Sequence, residues 1–262
     1  MNTISAERIF PYLERKEREL FIYDSVESTN DIAKNLASQG AADGTAVIAD
    51  MQTCGRGRLG RSFVSPSGTG IYMSVVMRPE FCIELAPMIT AAAACAAAEA
   101  VEKLCGADIR IKWVNDLWLN GRKICGILTE ASLGHEMKKL EYAVIGIGVN
   151  VLSVREQFDL ELGRIATSVE DETGIKINRN RLCAEILNQL DKYMTAVEDK
   201  SFLGEYRRRE LLTGHDITAN VGDEQLVGKA VGIDDSANLI IELPDGELRH
   251  LGSGEANLCR II

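Results

Sequence analysis

The sequence predicts an α+β fold: a mixed, largely antiparallel sheet with packed helices, followed by a small β-barrel. Three observations carry that expectation. Apolar segments follow one another through tight turns, which implies antiparallel pairing rather than a doubly wound parallel sheet. An alanine-rich helical stretch lies between two groups of strands, with side chains small enough for close packing on a sheet. From Thr213 onward the texture changes to short strands broken by turn sequences, the pattern of a separate small barrel.

Residues 4–20 and 28–39 carry helical spacing. The second stretch opens at Ser28-Thr29-Asn30-Asp31, where short polar side chains suit the capping of first-turn amides, and Gly40 ends it. Residues 45–50 (TAVIAD) and 70–77 (GIYMSVVM) read as strands of a hairpin with a long tip, a Gly- and Arg-rich loop plus the breaker run SPSGTG. Residues 88–104 form the alanine-rich helix. Residues 109–119 (IRIKWVNDLWL) read as one strand, joined through Asn120-Gly121, a strong hairpin signal, to a strand over 123–130. Residues 141–151 supply a further buried strand, and 165–210 return to helical spacing, ending in EYRRRE. Short strands broken by VGDE, DDSAN and LPDGE then place a boundary near Thr213-Gly214, dividing the chain into domains 1–212 and 213–262.

With 262 residues, 46% hydrophobic and 26% charged, composition is that of a globular protein rather than a disordered or fibrous one. The 39 acidic and 29 basic residues give a formal charge of -10, which disfavours sequence-independent DNA binding. The first twenty residues lack the apolar core of a secretory signal, and residues 85–98 are too alanine-rich to span a bilayer, so no membrane association is expected. The 7 cysteines, at 54, 82, 95, 105, 125, 183 and 259, never fall at C-x-x-C spacing. Neither a disulfide framework nor a zinc site fits, and a reduced cytoplasm is the simplest compartment.

The loop Gly55-Arg56-Gly57-Arg58-Leu59-Gly60-Arg61 formally matches G-x-G-x-x-G, but it leads into a strand rather than the helix a dinucleotide site requires. Three guanidinium groups on a flexible backbone suit either a small-anion site or a solvated basic loop. Alternation along KWVND places Lys112, Val114 and Asp116 on one face, with Lys123 just beyond the turn. That set fits a cross-strand ion pair, or polyanion chemistry by positioning and charge neutralisation. Gly126, Gly146 and Gly148 inside strands fit a flat ligand above the sheet, or β-bulges. Cys54 adjoins the basic loop, where a lowered thiol pKa would make it reactive. His135, His215 and His250 are scattered and suit structural roles. No metal-ligating cluster and no G-x-S-x-G elbow is present.

The ordered set ESTN at 27–30, Gln52 before GRGRLGR, KWVND, Lys123 with Gly126, and GIGVN at 146–150 closely resembles the biotin protein ligase family. The tail containing Gly254-Glu255 is similar to the SH3-like module that ends those ligases. The resemblance implies a class II synthetase-like biotin/lipoate ligase catalytic domain and a two-step reaction. Biotin and MgATP give biotinyl-5′-adenylate and pyrophosphate; a lysine of a biotin carboxyl carrier domain then displaces AMP. Ser28, Thr29, Asn30, Gln52, Arg56, Gly57, Arg58, Lys123 and Gly126 match biotin-contacting positions. Arg56, Arg58, Arg61, Lys112, Lys123 and Asn150 match positions near ATP or the adenylate, and Lys112, Asp116, Lys123 and Arg58 match the catalytic set, with no resident metal. Val114 departs from the proline many members carry, which removes no chemical group. Only about 25 residues precede ESTN, so an N-terminal DNA-binding module is not expected and nucleic acid is not an expected partner. A homodimer is compatible with the resemblance. A lipoate ligase of the same fold and a biotin-responsive regulator are the alternatives.

Overall fold

The computed structural model describes residues 3–134 and 139–259, in one seven-stranded and one five-stranded sheet with helices on the larger. Chain order is α1 (Ala6–Ile9), β1 (Leu20–Tyr23), α2 (Thr29–Ser38), β2 (Ala46–Ala49), β3 (Gly70–Met77), α3 (Ala86–Cys105), β4 (Arg110–Lys112), β5 (Asp116–Leu119), β6 (Arg122–Leu133) and β7 (Leu140–Asn150). Four helices come next: α4 (Leu162–Ile165), α5 (Val169–Thr173), α6 (Arg179–Thr195) and α7 (Leu203–Arg209). The C-terminal strands are β8 (Asp216–Val221), β9 (Glu224–Ile233), β10 (Leu239–Glu242), β11 (Leu248–Leu251) and β12 (Glu255–Leu258).

The large sheet has the order β1-β2-β3-β7-β6-β5-β4 and the small one β11-β10-β9-β8-β12. Among the described strands only β1 and β2 pair in parallel, so the α+β class with a mixed, largely antiparallel sheet is what forms. The Asn120-Gly121 turn forms as expected, both residues having positive φ (49° and 80°), which the tight two-residue hairpin requires.

Three expectations need correction. The helix expected over 4–20 stops early: α1 has four residues and passes into a 3₁₀ turn, Phe10–Tyr12, with extended backbone at Leu13. Pro11 lacks the N–H that would continue an α-helix, and Leu20-Phe21-Ile22-Tyr23 is a β-favouring run that becomes β1. The strand expected over 109–119 is two strands, because the chain turns at Trp113-Val114-Asn115, with a cis peptide between Trp113 and Val114. Asn115 ties that turn to β6, its Nδ2 donating to the Ile127 carbonyl (2.8 Å) and its own carbonyl accepting from the Ile127 amide (2.9 Å). Ser28 stands at the N-cap of α2 but its side chain makes no capping bond. Gln52 supplies it instead: its Oε1 accepts from the Thr29 amide at 2.9 Å.

The two faces of the large sheet have different roles. Ile48, Met73, Ile145, Ile147, Leu117 and Cys125 face the main core, where α3 and α6 pack. The helix α3 is long and apolar enough by composition to resemble a membrane span, yet Met88 to Cys105 are mostly buried as core. On the opposite face α2 covers only one end, through Ala33 and Ala37 against Val47, Val76 and Val144. The rest of that face is the floor of the site.

Candidate active site

Strand register assembles the floor. Across the sheet Lys112 pairs with Asp116, Asp116 with Gly126, Gly126 with Gly148, and Gly148 with Tyr72. Residues directly opposite in a ladder project to the same face, so a lysine, a carboxylate and two glycines form one lateral row. The next row on that face runs Leu128, Gly146, Ser74. The expectation that alternation along one strand puts Lys112, Val114 and Asp116 on one face needs correction: Lys112 and Asp116 meet across a hairpin, and Val114 lies in the turn between their strands.

The glycines are not bulges. A Cβ on Gly148 would stand 2.6 Å from the Phe63 ring, and one on Gly126 would be 3.3 Å from both Phe63 and the Lys123 ammonium. A Cβ on Gly146 would collide with Asn30 Oδ1. Absent side chains leave a trough over the sheet, with the Phe63 ring on it, braced edge-on by Tyr72 at 6.4 Å between centroids. The cavity measures about 980 Å³ counting its open mouth.

One end of the trough is a polar wall at the start of α2. Thr29 donates from its amide and hydroxyl to Gln52 Oε1 (2.9 and 3.1 Å), and Gln52 Nε2 donates to Ser65 Oγ (3.0 Å). Ser74 Oγ lies 2.5 Å from Asn30 Oδ1 and 2.8 Å from Thr29 Oγ1. Ser28, Thr29 and Asn30 are all buried yet line the cavity.

The other end is cationic. Arg56, Arg58, Arg61, Lys112 and Lys123 line the cavity, against the carboxylates Asp116 and Glu255. Lys123 Nζ is 2.8 Å from Asp116 Oδ1. Lys112 Nζ donates to Asn257 Oδ1 at 2.6 Å and lies 5.0 Å from the Trp118 ring centroid. Burial lowers the Lys112 pKa, with Lys123 and Arg61 pushing the same way and Asp116 and Glu255 opposing. An excess of positive charge inside a chain of net charge -10 selects an anionic ligand.

The arginine loop carries no α-helix. It closes through Gly57 N–H to the Arg61 carbonyl (2.7 Å) and Phe63 N–H to the Gly55 carbonyl (2.9 Å), then runs on toward β3. Arg56 pairs with Asp31 of α2, Arg58 Nη1 donates to Asn115 Oδ1 (3.1 Å), and Arg61 forks onto Glu255 of β12 (2.9 and 2.5 Å). Cys54 is exposed at the loop's start, and all seven cysteines are unpaired thiols.

The structure therefore brings together Ser28, Thr29, Asn30, Gln52, Arg56, Gly57, Arg58, Arg61, Lys112, Asp116, Lys123 and Gly126 around one cavity. Asn150 is outside its lining: it lies at the end of β7, Nδ2 donating to the Thr167 carbonyl (2.9 Å) while Oδ1 is buried with no partner. His215 is exposed and His250 pairs with Asp234 (2.8 Å) in the small sheet, both away from the cavity; His135 lies outside the described residues. Among the described residues no cluster of three or more His, Cys, Asp or Glu side chains is placed to hold a metal.

Residues 22–150 match the Biotin/lipoate A/B protein ligase family, and residues 214–258 match the Biotin protein ligase C terminal domain. Over 233 residues the chain is 37% identical to the bifunctional ligase/repressor BirA of Bacillus subtilis, covering 87% of this chain and 70% of that protein. The chain belongs to the biotin protein ligase family. This ligase is also 34% identical over 230 residues to the biotin–[acetyl-CoA-carboxylase] ligase of Paracoccus denitrificans, covering 84% of the chain and 92% of that enzyme. Its fold matches the biotin protein ligase from Aquifex aeolicus in complex with biotin and ATP, with a TM-score of 0.76 at 28% identity, over 92% of this chain and 99% of that one.

Several residues of the ligase site carry no sequence signal of their own. Phe63 follows the arginine loop without a motif, and Ser74 is hidden inside an apolar strand. Glu255 reaches the cavity, and Asn257 reaches Lys112, only because β12 docks there, more than 140 residues from their partners. Only the glycines hinted at Phe63, since something had to lie close above them.

Proposed function

We infer that this ligase activates biotin with MgATP to biotinyl-5′-adenylate and pyrophosphate, then transfers the biotinyl group to a lysine of a biotin carboxyl carrier domain. The observation that carries this reading is the polarity of the trough: a neutral wall of matched donors and acceptors at one end, a cationic cluster at the other, glycines between. A cyclic urea with two N–H donors and one carbonyl suits Thr29, Asn30 and Gln52, and a flat bicycle suits the glycine floor. The carboxylate end then reaches Lys123 and the arginines.

In the first step a biotin carboxylate oxygen attacks the α-phosphorus and the bond to the β-phosphate oxygen breaks, releasing pyrophosphate. Lys123, Lys112 and Arg58 are placed to stabilise the charge that builds between the two anions. In the second step the acceptor amine attacks the acyl carbonyl, AMP leaves, and Asp116 is the nearby carboxylate that can take the amine proton. Magnesium enters as part of the MgATP substrate, because both cavity carboxylates are already paired with cations. Asn150, with its orphaned buried Oδ1, is assigned to the adenine end. The division at residue 213 and an SH3-like C-terminal unit belong to this reading, as does a cytoplasmic setting, which suits seven unpaired thiols.

Purified protein incubated with biotin, MgATP and a carrier domain should biotinylate one lysine and exchange labelled pyrophosphate into ATP only when biotin is present. Transfer of lipoate in place of biotin would overturn the reading.

A further inference from the structure

Glu130 does not line the cavity, yet it holds a residue that does. Its Oε2 accepts from Asn30 Nδ2 at 2.8 Å, and its Oε1 is 2.8 Å from Lys34 Nζ. Lys34 also pairs with Asp31 (3.2 Å), the partner of Arg56. A carboxylate only accepts, so it forces the amide nitrogen of Asn30 toward itself and the oxygen toward Ser74 Oγ and the open space above Gly146. The Leu128 carbonyl also accepts from the same Nδ2, but at 3.4 Å, so the carboxylate at 2.8 Å is the stronger of the two anchors against the amide turning over.

The neighbouring amide is fixed in the same way from the other side. The Thr29 backbone N–H only donates, so it holds Gln52 Oε1 and leaves Nε2 for Ser65. Both amides on the wall are thus polarised by a partner with one possible role, and the pattern met by a ligand is set before it arrives. Burial pushes the Glu130 carboxyl upward, but hydrogen bonds from Lys34 and Asn30, with Arg56 nearby, outweigh it and keep the pKa below the ordinary value. The anchor is therefore an ionised acceptor at neutral pH.

We propose that Glu130, clamped by Lys34, is a positioning residue that fixes the Asn30 carboxamide so that its oxygen faces the urea N–H of biotin. The proposal rests on the head-group placement given under Proposed function. It concerns affinity and selectivity for the urea, not the phosphate chemistry at the far end of the trough.

The test is calorimetric titration of biotin into the parent, Glu130→Ala, Glu130→Gln and Thr29→Ala, with the KM for ATP from pyrophosphate exchange and thermal unfolding of each. Glu130→Ala should raise the biotin Kd about tenfold or more, since one orienting bond to a charged group is lost, while the ATP KM stays within about twofold. Glu130→Gln offers one oxygen and one NH2 in place of two acceptors; with Lys34 holding the oxygen, the NH2 faces Asn30, so its biotin Kd should rise as in Glu130→Ala. A parent-like Kd in Glu130→Ala or in Glu130→Gln, or equal rises in biotin Kd and ATP KM, would each overturn the proposal. Weak binding in Thr29→Ala with normal binding in Glu130→Ala refutes the positioning role and leaves the head-group placement standing. A parent that does not bind biotin removes both.

Discussion

Replacing Lys123 with alanine separates catalysis from stability. Lys123 Nζ and Asp116 Oδ1 are 2.8 Å apart, with side chains 26% and 21% exposed. Two unit charges at that distance attract by roughly 6 kcal/mol at an effective dielectric constant near 20. Desolvation of both groups and the lysine's lost rotamer freedom offset most of it, leaving about 1 kcal/mol for so accessible a pair. Lys112 also acts on Asp116, so the carboxylate is not left without a positive neighbour. Unfolding should therefore shift by only about 2–4 °C in a chain of this size. On the placement proposed above, the ammonium faces charge that grows toward the transition state, where one preorganised donor is worth about 10²- to 10³-fold in rate. Pyrophosphate exchange and thermal unfolding on Lys123→Ala, measured together, should show a large loss in the first and a small one in the second. Near-parental exchange would return Lys123 to a structural ion pair and remove the reason for assigning Lys112 and Asp116 to catalysis.

Arg58→Gly removes the planar donor held on Asn115, so the adenylate should escape; free biotinyl-adenylate and non-specific lysine biotinylation should both rise over the parent. Glu255→Ala frees Arg61 from β12 and should raise the ATP KM several-fold with little change in melting temperature, because the Arg61 side chain is 65% exposed. High salt should reproduce part of that effect in the parent and add little in the variant. Acid should destabilise the fold below about pH 4.5. The Glu205 carboxyl is held at about 2, first by its hydrogen bond from Arg208 and then by Arg209, so its contribution is present above the unfolded value of 4.5 and is lost as pH falls toward 2. In Glu205→Gln the acid limb of a melting-temperature curve should be shallower; an unchanged curve would contradict this.

The features legible in the sequence were local. The runs TAVIAD and GIYMSVVM, the alanine-rich helix and the Asn-Gly turn arise from period and turn chemistry that neighbouring residues determine by themselves. The parallel pairing of β1 with β2 was not, because its partner lies 26 positions away and nothing in Leu20-Phe21-Ile22-Tyr23 names it. Residues 109–119 looked like one strand because Ile109, Ile111 and Trp113 alternate with polar residues and Leu117 and Leu119 resume the alternation; the break at Asn115 depends on a bond to β6, which only the folded sheet provides. Motif residues reached the cavity in nearly every case. Asn150 did not, since the last pair of β7 lies one step beyond the trough. Glu130 and Asn257 were invisible for the opposite reason, and Glu255 stood out only as part of the tail: their contacts to Asn30, Lys112 and Arg61 exist only once strands are in register.

The floor residues alternate, along the same strands, with side chains of the main core. Lys112 neighbours Ile111, Asp116 neighbours Leu117, and both glycine rows are threaded between Ile145, Ile147 and Val149. That half of the site can shift only if the core shifts, so its amides should exchange hydrogen only by near-global opening. The other half is a loop pinned by ion pairs to α2 and β12. Substrate and product then pass between a wall fixed by the core and a wall held by surface ion pairs. The hold on the adenylate then depends in part on surface electrostatics, and substitutions at Asp31 and Glu255 should reach it through Arg56 and Arg61 without touching the sheet face.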